Sequence, residues 1–283
     1  FAENVFKQLG DSPNNSKNGE NSYTGTAGYT YINFKELQTG LQGTYNLLKY
    51  GVKTKVKKLV NISSVSAYGI LTESPINENM EGKPFIHYGV TKKASEEYCK
   101  IFKGTYGLDT VNLRLFYAYG ERYATFDHSA LVNFLDRAKK GEDLIIYGDG
   151  KQIRDWINVD DNVRAILTLI KQGKLGEKYN IGASNELTNI SIVKKICAIL
   201  DDLLPREIGK YSELIQYVDD RPAHDFRYAL NINKILNETN WRPLVDFSDG
   251  IIETIKWYLS KRDWLFEGTK DIYDGKRMGI IDK

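Results

Sequence analysis

One stretch constrains this chain more than any other. Residues 58–69 read Lys58-Leu59-Val60-Asn61-Ile62-Ser63-Ser64-Val65-Ser66-Ala67-Tyr68-Gly69, a short apolar run that enters a serine-rich turn. After a polar loop, Tyr88-Gly89-Val90-Thr91-Lys92 opens a helix-like segment. The first part predicts a short buried strand over 57–62, and the second a helix over 88–106. Tyr88 and Lys92 stand four apart, so on a helix they share one face. A strand-end hydroxyl facing that pair makes a proton-transfer site. A free phenol titrates near pH 10, too high for a base at neutral pH. A neighbouring ammonium favours the phenolate and lowers that value. The Ser64 hydroxyl would then orient a substrate oxygen toward Tyr88. Such a set suits removal of a carbinol proton while hydride leaves for a nicotinamide.

The spacing alone says little. Tyr31/Lys35, Tyr45/Lys49, Tyr88/Lys92 and Tyr147/Lys151 all match Tyr-x-x-x-Lys, and most such pairs are solvated helix faces or loops. Only Tyr88/Lys92 follows a strand and a Ser-Ser-x-x-x-Tyr-Gly turn. Around it lie Gly43-Thr44-x-Asn46-Leu47-Leu48, Leu113-Arg114, Tyr147-Gly148-x-Gly150, Arg154-Asp155-Trp156, Tyr179-Asn180-Ile181-Gly182 and Arg221-Pro222. Together these motifs, from about Gly40 to about Leu259, resemble the extended short-chain dehydrogenase/reductase family, the NAD-dependent nucleotide-sugar epimerases and dehydratases.

The resemblance implies an α/β fold: a Rossmann-like parallel sheet flanked by helices, with a smaller C-terminal substrate-binding region. It implies NAD as cofactor, with NADP as the alternative, and a nucleotide-diphosphate sugar as substrate. It makes Ser64, Tyr88 and Lys92 catalytic, with Tyr88, Lys92, Ser63, Gly25 and Gly28 against the cofactor. Arg154 and Arg221 fall where relatives clamp the diphosphate, a task that suits a planar guanidinium. Ser66 and Tyr117 fall on the substrate side, and His224 and Tyr147 could line the same cleft. It also implies a homodimer through helices 34–50 and 88–104, with Leu41, Leu48 and Ile101 suited to the packing, although the same residues could face only the sheet.

Composition narrows the classes. At 283 residues the chain can bury a sizeable core, as one large domain or two small ones. Net charge is +2 with no basic block, so neither nucleic acid nor a membrane surface is implied. No apolar run approaches the roughly 18 residues of a membrane span, and no signal peptide is seen at the start given. Cys99 and Cys197 read as small buried hydrophobes in a reducing compartment, which points to the cytoplasm. His87, His128 and His224 form no metal motif.

The alternation of strand and helix predicts helix 33–50, strand 57–62, helix 88–106 and strand 109–116, the pattern of a parallel sheet. Further on it predicts helices at 128–140, 160–172, 189–204, 232–236 and 247–259, and brief strands at 144–147 and 179–182. The division expected is a nucleotide-binding core over 1–120 and a substrate region over 121–283, with about 152–182 returning to the core. Residues 1–30 lack the opening strand and glycine turn that a dinucleotide fold needs. Thr24-Gly25-Thr26-Ala27-Gly28-Tyr29-Thr30-Tyr31 resembles the family's glycine pattern with Tyr31 at the third glycine; by itself it reads as a loop. The start is read as incomplete or degenerate, a shortened fold or a rearranged first half.

Two departures bear on the reaction. The dehydratase branch carries an Asp-Glu pair after the catalytic hydroxyl residue, and here Val65 and Ser66 stand there. Valine cannot transfer a proton and serine is a poor substitute for a carboxylic acid. Yet 154–258 looks most like that same branch. The family also often places Asn where Tyr117 stands. The reading is oxidation at a sugar carbon by an epimerase or oxidoreductase. The alternatives are a 4,6-dehydratase with altered acid/base residues and a non-catalytic nucleotide-sugar binder with a degenerate cofactor site.

Overall fold

The computed structural model describes residues 37–260 except 70, 72, 85, 123–129 and 221–225. Gly25, Gly28, Arg221, His128 and His224 therefore lie outside the described residues.

The chain enters through a π-helical turn, Leu37–Gln42, into α1, Gly43–Thr54. Strand β1 covers Leu59–Ser64, two residues later than expected, because Ser63 and Ser64 pair with Arg114 and Leu115 and carry the strand into the turn. A 3-10 turn, Val65–Ala67, follows, and α2 spans His87–Tyr106. Then come β2 (Thr110–Leu115), β3 (Ala118–Tyr119), α3 (Ala130–Lys140) and β4 (Leu144–Tyr147). Next are β5 (Ile153–Asp155), β6 (Ile157–Asn158) and α4 (Val159–Gln172). The Asn158 side chain starts α4 by accepting the Asp160 N–H, one of the orphan donors of a helix start. Strands β7 (Lys178–Ile181) and β8 (Glu186–Thr188) lead to α5, Asn189–Leu203, capped in the same way by Thr188. Strands β9 (Ile215–Val218) and β10 (Arg227–Tyr228), then α6 (Asn233–Glu238) and α7 (Phe247–Ser260), complete it.

The central sheet is parallel, in the order β1-β2-β7. Parallel neighbours need crossovers, and α2 and α4 lie within the two. Among the described residues β1 pairs with β2 alone. The rest of the chain forms smaller pairings: β10-β5-β8, β3-β6 and β4-β9. The sequence pattern predicts neither β3, β5, β6, β8 and β10, which at two or three residues are too short to show a period, nor the four-residue β9.

The two faces of the central sheet differ. Val111, Leu113, Tyr179 and Ile181 sit in one apolar cluster with Ala165 and Leu169 of α4. The alternate residues, Asn61 and Ser63, Asn112 and Arg114, and Asn180, form polar rows at matching register. A second cluster, built on Leu131, Leu144, Ile196 and Ile251, packs α3, β4, α5 and α7 together. Asp155 ties the two parts: fully buried, it accepts the N–H groups of Ala183, Ser184 and Asn185 just after β7.

Leu48 decides between the two placements left open for it. It is 0% exposed, packed with Cys99, Phe102 and Leu108, while its neighbour Leu47 is 64% exposed. The inward helix face won the larger share of apolar contact, so Leu48 belongs to the core and not to an outer surface. No helix among the described residues is long and apolar enough to cross a membrane.

Candidate active site

A cleft of about 630 Å³ opens at the C-terminal ends of β1 and β2. That is where open α/β sheets place their ligands. Ser64, Ser66, Tyr88, Tyr117 and Arg154 all line it, although they come from four separate parts of the chain.

Ser64 ends β1 in extended backbone and caps the turn that follows. Its Oγ accepts the Ser66 N–H at 3.2 Å and donates to Ser66 Oγ at 3.3 Å. Tyr88 sits in the first turn of α2, partly exposed at the cleft. Gly89 lets that turn come close: a Cβ there would stand 2.3 Å from the Ser66 carbonyl oxygen. One turn on, the Lys92 ammonium donates to the Ile62 carbonyl at 2.7 Å and lies 5.5 Å from the centre of the Tyr88 ring. Burial pulls the Lys92 ammonium below the usual lysine range. The helix thus carries its cation against β1 and its phenol to the mouth of the same strand.

Ser63 lines the cleft as well, and its hydroxyl donates to Glu96 Oε1 at 2.5 Å. Arg154 is buried, 5.6 Å from the Tyr228 ring centre, with Nη1 donating to its own neighbour's carbonyl, Ile153 O, at 2.8 Å. Tyr117 packs edge-on to Trp156 at 5.0 Å and to Phe116 at 5.9 Å. Tyr147 lines the cleft as well. Gly25, Gly28, Arg221 and His224 are outside the described residues.

Asn133, Phe134, Asn189, Ile192 and Tyr228 also line the cleft and were not singled out from the sequence. Tyr228 lies seven residues after Arg221, within the 154–258 stretch that resembles the dehydratase branch, and could have been found there; Asn133 and Phe134 lie on an ordinary amphipathic helix and carry no signal. Among the described lining residues there is no carboxylate. Val65 is buried beside Ser64, and Ser66 offers only its hydroxyl.

The model of the NAD dependent epimerase/dehydratase family matches residues 32–182. A dTDP-glucose 4,6-dehydratase of Xanthomonas campestris is 35% identical over 254 residues, which cover 86% of this chain and 72% of the relative. One from Neisseria meningitidis is 34% identical over 257 residues, with the same coverage of 86% and 72%. Among solved structures, DesIV of Streptomyces venezuelae, a dTDP-glucose 4,6-dehydratase with NAD and TYD bound, superposes with a TM-score of 0.72 at 33% identity, covering 80% of this chain and 67% of that one. The UDP-glucose 4-epimerase of Thermotoga maritima with UDP-glucose also gives 0.72, at 27% identity, covering 81% of this chain and 72% of that one.

Proposed function

Because the chain belongs to the NAD dependent epimerase/dehydratase family, we propose that it oxidises a carbon of a nucleotide-linked sugar, as an epimerase or oxidoreductase and not by net loss of water. The observation that carries this choice is the cleft without a carboxylate among its described residues. Elimination of water needs an acid and a base besides the group that takes the hydroxyl proton. Oxidation of a carbinol needs only that one proton acceptor together with a hydride acceptor.

In this reading Tyr88 takes the proton, the Lys92 cation favours the phenolate, and Ser64 holds the substrate oxygen by a hydrogen bond. Ser66 and Tyr117 contact the sugar. Arg154 pairs with the diphosphate, joined by Arg221 from outside the described residues. The donor set supports a cofactor in one part: Lys92 and Tyr88 bring an ammonium and a phenol together at the end of β1, a fit for ribose hydroxyls. Gly25 and Gly28, proposed for the pyrophosphate, lie outside the described residues. NAD, when bound, would supply the hydride acceptor. The core would comprise 1–120, with about 152–182 returning to it, and the substrate region the remainder of 121–283.

The test is the product. The chain is incubated with NAD and dTDP- or UDP-hexoses and followed by proton NMR. A sugar inverted or oxidised at one carbon is expected; a 4-keto-6-deoxy sugar would overturn the choice.

We further propose a homodimer through α1 and α2. Leu47, Tyr50, Val90 and Ile101 are large apolar residues exposed on these helices. Large apolar side chains left exposed on these two helices would gain from burial in an interface. Light scattering at micromolar concentration should give the mass of two chains, and the mass of one would refute it.

A further inference from the structure

The polar face of the central sheet meets α2 through one carboxylate. Glu96 Oε1 accepts Ser63 Oγ at 2.5 Å and Arg114 Nε at 2.7 Å, and Oε2 accepts Arg114 Nη2 at 2.5 Å. The Arg114 side chain is 0% exposed and that of Glu96 6%. Ser63 and Arg114 are direct register partners, as are Arg114 and Asn180 on the next strand. The guanidinium lies 4.0 Å from the centre of the Tyr68 ring, and the Tyr68 hydroxyl donates to Asn180 Oδ1 at 2.8 Å. Asn180 Nδ2 donates in turn to the Ile76 carbonyl at 2.9 Å.

The placement of these groups relative to the cleft carries the inference. Ser63 and Tyr68 stand on either side of the Ser64–Ser66 turn, so the turn is tied at both ends to the Glu96–Arg114 pair. Glu96 itself lies one helical turn beyond Lys92 and two beyond Tyr88 on α2. A single buried carboxylate therefore joins the segment that carries Ser64 to the helix that carries Tyr88 and Lys92. We propose that Glu96, with Arg114, is a positioning residue that sets the approach of Tyr88 to Ser64. This rests on the catalytic roles proposed above for those two residues.

The physics favours alignment over stability as the role of the pair. Taking two charges out of water offsets most of their attraction, and apolar replacements of buried pairs are often neutral. A forked guanidinium–carboxylate contact, by contrast, has one good geometry and resists sliding of the helix along the sheet. Small displacements of reacting groups are costly: about 1 Å can lower a rate a hundredfold.

The test is the double variant Glu96→Met/Arg114→Met in the full chain, which removes both charges and keeps apolar volume. Three quantities are compared with wild type: thermal midpoint, amide hydrogen exchange, and kcat against KM for the nucleotide sugar. The expected result is a midpoint little changed, exchange about tenfold faster in 64–69 and 87–92 alone, and kcat about tenfold or more lower at near-constant KM. Unchanged local exchange and unchanged kcat would overturn the proposal. So would a collapse of the midpoint with faster exchange everywhere, which marks a stability role. If the double variant does not fold, Ser63→Ala leaves the ion pair intact and cuts only its bond to β1; local exchange in 64–69 must then rise, and its staying constant overturns the proposal. A wild-type chain without turnover would defeat the proposed reaction alone, since the exchange comparison decides the positioning role without it.

Discussion

The two faces of the central sheet hold their helices in different ways. On one, Val111, Leu113, Tyr179 and Ile181 bury apolar surface against Ala165 and Leu169 of α4. On the other, Asn61 bonds Asn112 at 2.8 Å, Ser63 and Arg114 bond Glu96, and Thr110 Oγ1 donates to the Cys99 carbonyl of α2 at 3.3 Å. Apolar burial is strong and non-directional, so it stabilises without dictating where along the sheet a helix rests. Hydrogen bonds add little net stability but each has a direction and a length. Of the residues proposed for chemistry, Tyr88 and Lys92 lie on the helix of the directional face, and Ser64 ends the strand that Lys92 bonds. The apolar face supports the fold, and the polar face is the one proposed to align the site.

The largest expected effect breaks the polar face alone. Glu96→Ala leaves the Arg114 guanidinium buried without its carboxylate and should cost about 3–5 kcal/mol in denaturant unfolding. Leu113→Ala, on the opposite face, should cost about 2–5 kcal/mol through lost burial and a cavity. The comparison is sharpened by what each does to turnover in the fraction still folded: Leu113→Ala should leave it nearly intact, and Glu96→Ala should not. Equal loss of turnover in both would erase the distinction between the faces.

A smaller effect appears at high pH. Burial pushes the Tyr68 phenol up to about 12, with the Arg114 guanidinium pulling the other way. The unfolded phenol titrates near 10. Between about pH 10 and 12 the folded chain keeps a proton that the unfolded chain has lost, so stability falls as pH rises. The share due to Tyr68 is about 2–3 kcal/mol across that window, at roughly 1.4 kcal/mol per pKa unit. Tyr68→Phe should flatten the decline of unfolding free energy over that interval. An unchanged slope would mean that Tyr68 is not held neutral by its place beside the polar network.

The long elements were legible because their periods were. The helix expected at 88–106 runs His87–Tyr106, and the strand expected at 109–116 runs Thr110–Leu115. The convergence of Ser64, Ser66, Tyr88, Tyr117 and Arg154 on one cleft was legible through their motifs. What escaped was the direction of neighbouring side chains. Glu96 and Glu97 are adjacent acids on one helix, yet Glu96 is buried under Arg114 while Glu97 is exposed and near Lys93 and Lys100. Leu47 and Leu48 divide in the same way. Consecutive helical residues point about 100° apart, and which one faces inward depends on the partner strand, which a local pattern does not contain. Ser63 and Ser64 both line the cleft, and their different hydrogen-bond partners escaped for the same reason. Alternation along a strand sends the two hydroxyls to opposite faces, and only the register with Arg114 shows which is which.

The most direct measurement is Tyr88→Phe, made in the full chain and followed for both nucleotide-sugar binding and turnover with NAD. The variant removes one partly exposed hydroxyl and leaves Lys92 bonded to Ile62, so the fold and the affinity proposed for Arg154 should hold. Turnover should be lost while calorimetric affinity for the nucleotide sugar stays within about threefold, since one surface hydroxyl contributes little to stability or to binding of the diphosphate. Turnover equal to wild type would show that the proton leaves by another route and that the alignment of α2 with β1 serves some other end.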